Sequence, residues 1–177
     1  MDKRLLVPAL VVGSLLVGTA AFTQSFYSQL TGGKGPVQPI NFSHQLHAGK
    51  LGMNCLYCHY GAEKSAVANI PPVSSCMGCH KIAVTDRPEV QKLTGYYERG
   101  EQIPWAEVYK LPAHVKFNHV RHVQAGVQCT DCHGPVQTMP IMYQYSSLKM
   151  GWCLECHRRK QDDPKFPATM DCVACHH

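Results

Sequence analysis

The sequence predicts a mostly irregular chain in which short α-helices wrap covalently attached groups, preceded by one N-terminal transmembrane helix. Three observations predict it. All ten cysteines fall into Cys-x-x-Cys pairs followed at once by histidine: Cys55-Leu-Tyr-Cys58-His59, Cys76-Met-Gly-Cys79-His80, Cys129-Thr-Asp-Cys132-His133, Cys153-Leu-Glu-Cys156-His157 and Cys172-Val-Ala-Cys175-His176. Residues 40–177 number 138, about 28 for each such segment, too little chain to assemble an ordinary apolar core. Near the start, Lys3 and Arg4 precede an uncharged run from Leu5 to Phe22.

The cysteine spacing suits covalent attachment of c-type haem. Two thiols one turn apart reach the two vinyl groups on one porphyrin edge, and the next residue places an imidazole under the iron. Zinc knuckles, redox dithiols and disulfide frameworks also use paired cysteines, but none requires a histidine at that position. With 11 histidines in 177 residues, five coincidences have a chance of roughly one in a million. The fold class is therefore a multihaem cytochrome c with five haem c groups as its core, and its chemistry is electron transfer.

The run from Leu5 to Phe22 is 18 residues long, more than the roughly 7–15 of a signal-peptide core and within the about 17–25 of a spanning helix. Length favours an uncleaved anchor over residues 1–25; Thr19-Ala20-Ala21 keeps the signal-peptide reading open. Either reading exports the remainder. Lys3 and Arg4 stay cytoplasmic by the positive-inside rule, so the expectation is a bacterial cytoplasmic-membrane protein with its haem domain on the periplasmic side. Residues 26–40 gather Gly and Pro and read as a tether.

The pentahaem domain, 41–177, contains a repeat. Phe42-Ser-His44-Gln-Leu-His47 leads to the segments at 55 and 76, and Phe117-Asn-His119-Val-Arg-His122 leads to those at 129 and 153. The Phe and both His recur at an offset of 75, the attachment sites at 74 and 77. A duplicated two-haem unit, 42–80 and 117–157, is the economical explanation, with 172–176 an addition. Between the modules the spacing predicts one helix, capped by Asp86, with Pro88 in its first turn, Val90, Leu93 and Tyr97 as its apolar stripe, and Gly100 at its end. Trp105 is expected to pack against a haem or a partner.

His59, His80, His133, His157 and His176 are the expected proximal ligands. His44, His47, His114, His119, His122 and His177 remain for five distal positions. That surplus points to six-coordinate irons, which exchange electrons with little rearrangement and leave no place for substrate. Residues at i and i+3 share a helix face one turn apart, so each Phe-x-His-x-x-His unit can serve two adjacent haems. His44, His47, His119 and His122 are thus the expected distal ligands. The fifth position is open between His114 and Met139, whose thioether would raise that haem's potential. His177 directly follows a proximal histidine and ranks last.

The net charge of +5 does not imply nucleic-acid binding. Each haem adds two propionates and, when ferric, one positive core, which brings the total to about zero and, fully reduced, to about −5. Interleaved basic and aromatic residues are absent.

Phe-Ser-His-Gln-Leu-His, the doubled module, Leu-Pro-Ala-His-Val-Lys-Phe-Asn-His, Cys-His-Gly-Pro-Val-Gln-Thr-Met-Pro and Met150-Gly-Trp-Cys-Leu-Glu-Cys-His-Arg, together with the anchor, resemble the pentahaem cytochrome c subunit of bacterial alternative complex III. The resemblance implies an electron-transfer subunit, not itself an enzyme, of a respiratory or photosynthetic quinol oxidoreductase. Its implied partners are integral membrane quinol-oxidising subunits, an iron-sulfur subunit and a monohaem cytochrome c or another periplasmic or terminal acceptor. The paired-histidine module also resembles the small class III cytochromes c. That resemblance implies that His44 serves the haem at Cys55/Cys58 and His119 the haem at Cys129/Cys132, leaving His47 and His122 for other haems. The competing readings are a freestanding membrane-anchored carrier, a quinol dehydrogenase serving a periplasmic reductase, and a catalytic multihaem enzyme; the last would need an open iron.

Overall fold

The computed structural model describes residues 35–177. The anchor expected over 1–25 and the tether as far as residue 34 lie outside the described residues. Among the described residues no strand forms, and no helix is long and apolar enough to cross a membrane. The described residues form six α-helices, α1 (Cys55–Cys58), α2 (Val73–His80), α3 (Pro88–Glu98), α4 (His119–Gln124), α5 (Cys129–His133) and α6 (Met150–Lys160). A π-helical turn covers Gln45–Lys50, and 3₁₀ turns cover Tyr60–Glu63, Val136–Thr138 and Cys172–Ala174.

Local chemistry starts these elements where the cysteines need them. Asn54 accepts from the Leu56 amide at 2.8 Å to open α1, and Asp171 accepts from the Val173 amide to open the last 3₁₀ turn. The Asp131 carboxylate reaches back to the Gln128 amide at 3.1 Å to fix the start of α5. Pro72 precedes α2 in an extended conformation. The segments carrying His47 and His122 both stop at a glycine in the left-handed region, Gly52 at φ +66° and Gly126 at φ +78°. At the second, the Gly126 and Val127 amides return to the Val123 and His122 carbonyls, a Schellman closure that a side-chain-bearing residue would strain.

The connecting helix forms as predicted from Val90, Leu93 and Gly100, with two corrections. Arg87, not Asp86, occupies the cap, in extended conformation with no side-chain bond, because the proline that follows disfavours a helical residue before it. Tyr97 stays largely exposed, and its neighbour Tyr96 turns to the core instead.

That core is small. Ile40, Val73, Met77, Leu93 and Ile103 form one buried cluster, with Cys76, Tyr96 and Trp105 packed on it. Val73 and Met77 lie one helical turn apart on α2, which is why this face of the second haem segment is anchored to α3. Trp105 is therefore part of the core, and ordered packing starts before Asn41: the Gln38 amide group both donates to the Ala106 carbonyl and accepts from the Ala106 amide, each at 2.9 Å.

The two modules interlock reciprocally. The turn Gln45–Lys50 packs on Val136–Thr138 of the second module, and α4 packs on Tyr60–Glu63 of the first. The Gln45 amide donates to the Met139 carbonyl at 2.9 Å, and its counterpart Val120 donates to the Ser65 carbonyl at 3.2 Å. Each module's histidine segment thus rests on the loop that follows the other's first attachment site.

Candidate haem-binding sites

Ten of the eleven histidines face one another in five pairs. His44 and His59 have ring centroids 6.5 Å apart, His47 and His80 6.1 Å, His119 and His133 6.4 Å, His122 and His157 6.1 Å, and His114 and His176 5.6 Å. Two imidazoles on one metal, each bonded at about 2.0–2.1 Å and with about 1.1 Å from nitrogen to ring centre, would stand about 6.2–6.4 Å apart. Four pairs match that spacing to within about 0.1 Å and leave room for one iron; His114 and His176, at 5.6 Å, face each other in the same way but would have to part by about 0.6 Å to admit one. Every pair includes the histidine that directly follows a Cys-x-x-Cys, so the thiols stand beside the same gap.

The second ring nitrogen is the test of fit, because a ligating imidazole normally donates its other N–H and so fixes tautomer and orientation. Among the proximal histidines, Nδ1 of His59 meets the Asn69 carbonyl at 2.8 Å, His80 that of Ala83 at 3.2 Å, His157 that of Thr169 at 2.7 Å and His176 that of His114 at 3.1 Å. Among the distal ones, His47 meets Ser43, His119 meets Ala66 and His122 meets Asn118, at 2.8–2.9 Å. With Nδ1 so used, Nε2 keeps the lone pair that a metal needs. His44 has a buried Nδ1 with no hydrogen-bond partner among the described residues. The residues fit c-type haem.

Phenylalanine explains the Phe-x-His-x-x-His unit. Phe42 sets its edge against His44 at 4.9 Å and stacks on His47 at 4.4 Å; Phe117 does the same to His119 at 4.8 Å and His122 at 4.5 Å. One ring thus spaces two imidazoles that point to different gaps.

Burial favours the neutral imidazoles that ligation requires. His44 is lowered to about 4, first by burial and then by His59, His47 and His133. His133 is lowered by burial and by His119 and His59, and His122 by burial against the opposing Asn118 carbonyl. Burial likewise raises the thiols of Cys58, Cys76, Cys129, Cys132 and Cys153, with a further rise at Cys58 from Cys55 of its own pair and at the other four from neighbouring segments. Those contributions mark neighbours: Cys76 senses Cys58, Cys129 senses Cys55, Cys132 senses Cys153 and Cys156, and Cys153 senses Cys175.

Among the described residues Met139 is the most deeply buried side chain, 1 % exposed, at the interlock where its carbonyl accepts from the Gln45 amide. His177 stands outside the pairs, its Nδ1 on the Val173 carbonyl. Sequence reasoning missed the carbonyls that orient the rings, since a main-chain acceptor has no residue signature. It also missed Tyr109, whose ring meets His133 edge to face at 4.5 Å.

Residues 115–177, the second module and the last segment, match the family described as cytochrome c7 and related cytochrome c. Across 94 % of its length the chain is 31 % identical to the menaquinone reductase multiheme cytochrome c subunit of Nitratidesulfovibrio vulgaris strain Hildenborough, covering 86 % of that protein. Paired imidazoles, attachment thiols and a kinship spanning both modules agree: the chain belongs to the multihaem cytochrome c family that includes this menaquinone reductase subunit.

Proposed function

We propose that this chain holds five bis-histidine haems in single file and carries electrons within a membrane quinone oxidoreductase complex. The five imidazole pairs carry the reading, because an iron with protein ligands on both faces has no position for substrate. When bound, each haem supplies a one-electron ferric/ferrous couple. The chain's part is to attach, orient and space them. The cysteine pairs hold the porphyrin edges and the carbonyls aim the rings. In each module one phenylalanine keeps two distal ligands together.

The fifth distal ligand is His114, supported by its 5.6 Å separation from His176. Numbering the sites I to V along the chain, the neighbouring cysteines support the order II, I, III, IV, V. Sites I and III meet at the interlock of the modules, where His133 lies close enough to act on His44 and His59 to act on His133. Site II ends the file at the small core and site V ends it at the C-terminal segment.

Residues 5–22 anchor the chain, leaving the haem domain outside the cytoplasm with Lys3 and Arg4 inside. The partners are integral membrane quinone-reacting subunits and an iron-sulfur subunit. In the alternative complex III reading, electrons leave quinol through this file toward a periplasmic acceptor. The name of the relative from N. vulgaris favours a second reading, in which they flow toward menaquinone.

Carbon monoxide added to the reduced, undenatured protein should leave the haem spectrum unchanged; a shift in wild type would overturn the electron-carrier reading. Gentle detergent extraction should recover membrane and iron-sulfur subunits with the chain. Their identity, with quinol-oxidising against quinone-reducing turnover of the complex, separates the two directions. Isolation of the chain alone would favour a freestanding carrier.

A further inference from the structure

His133 differs from the other four proximal histidines. Each of those donates Nδ1 to a main-chain carbonyl; no acceptor serves His133 Nδ1 among the described residues. Instead the ring of Tyr109 stands against it, 4.5 Å between centroids and 75° between planes. The Tyr109 hydroxyl is held by the loop that leaves this ligand: it lies 3.4 Å from the His133 carbonyl and 3.3 Å from the Tyr143 carbonyl, and accepts from the Tyr145 amide at 3.3 Å. Tyr145 in turn lies over Gly134, where an added Cβ would come within 2.3–2.7 Å of its ring. Loop, tyrosine and ligand form one packed unit.

We infer that Tyr109 is the positioning residue of the site III proximal ligand, its ring replacing the carbonyl that orients the other four. The inference rests on His119 and His133 being an axial pair, as proposed above. Their planes differ by only 4°. Parallel imidazoles give a low-spin ferric haem a rhombic EPR signal, and rotation of one ring toward perpendicular moves the signal to a highly anisotropic form. Tyr109 lies in the linker between modules, so the linker fixes a ligand at the junction the electrons must cross.

The test uses the full-length protein in membranes or detergent. In Tyr109→Leu, which removes the ring, one rhombic signal amounting to one haem should be lost or displaced, with haem content unchanged. Tyr109→Phe keeps the edge but frees it from the loop, and should broaden the same signal. An unchanged EPR spectrum in Tyr109→Leu overturns the inference. If that variant does not mature, an unchanged line in Tyr109→Phe overturns it. Absence of any signal from parallel imidazoles in the wild type would instead refute the axial pairing on which it rests.

Discussion

Phe42 stacks on His47 with 4.4 Å between ring centroids and 22° between planes, while its edge meets His44. The ring is thus shared between ligands of two sites. Phe42→Leu should perturb the spectra and potentials of sites I and II together, leaving III, IV and V as in wild type. Loss of the aromatic pairing should cost about 0.5–1.5 kcal/mol beyond lost area. Site-resolved redox titration checks the confinement, and a change spread evenly over five haems would contradict it.

Gly49 is required by the interlock. A Cβ there would stand 2.3 Å from the Gln137 carbonyl oxygen, a main-chain atom that cannot swing aside. Gly49→Ala should destabilise the protein by about 1–3 kcal/mol, the usual range for overpacking. Thermal denaturation followed by haem absorbance reads this, and wild-type stability would show that the modules separate more readily than the contact implies.

His114 and Met139 make opposite predictions. His114→Ala should open one iron in five, so the reduced variant binds carbon monoxide at one haem. Met139→Leu, close to volume-conserving, should cost less than about 1.5 kcal/mol and leave the haem spectra unaltered. A sulfur-to-iron charge-transfer band in wild type that disappears in Met139→Leu would reverse the assignment. His177→Ala should change neither ligation nor haem content.

The ring planes predict an EPR census. The pairs at sites I, III and V are within 13°, 4° and 25° of parallel, whereas those at II and IV are turned by 65° and 47°. Oxidised protein should show three rhombic low-spin signals and two highly anisotropic ones. Five rhombic signals would mean that the rings of His47 or His122 sit differently once haem is attached.

The attachment pattern was legible because covalent haem would require two thiols and an imidazole within five positions, a fixed spacing that the chain repeats five times. The repeat of Phe42, His44 and His47 in Phe117, His119 and His122 was legible for a related reason, since one aromatic must reach two rings along one short helical segment. The Asp86 cap failed because Pro88 controls the backbone of its predecessor whatever side chain stands nearby. Tyr109 left no trace in the sequence, because a lone tyrosine in a linker has no spacing to betray the ligand it meets.

The sequence by itself determined the five Cys-x-x-Cys-His segments, the recurrence of Phe-x-His-x-x-His and the short helix between its two occurrences. Each is local, set by residues a turn or less apart or by an offset that duplication preserves. Only the tertiary structure decided that His114 faces His176 across 62 positions and that the segments carrying His47 and His122 each rest on the other module's loop. Those relations depend on where short helices and carbonyls meet after the chain has folded back, which no local spacing records.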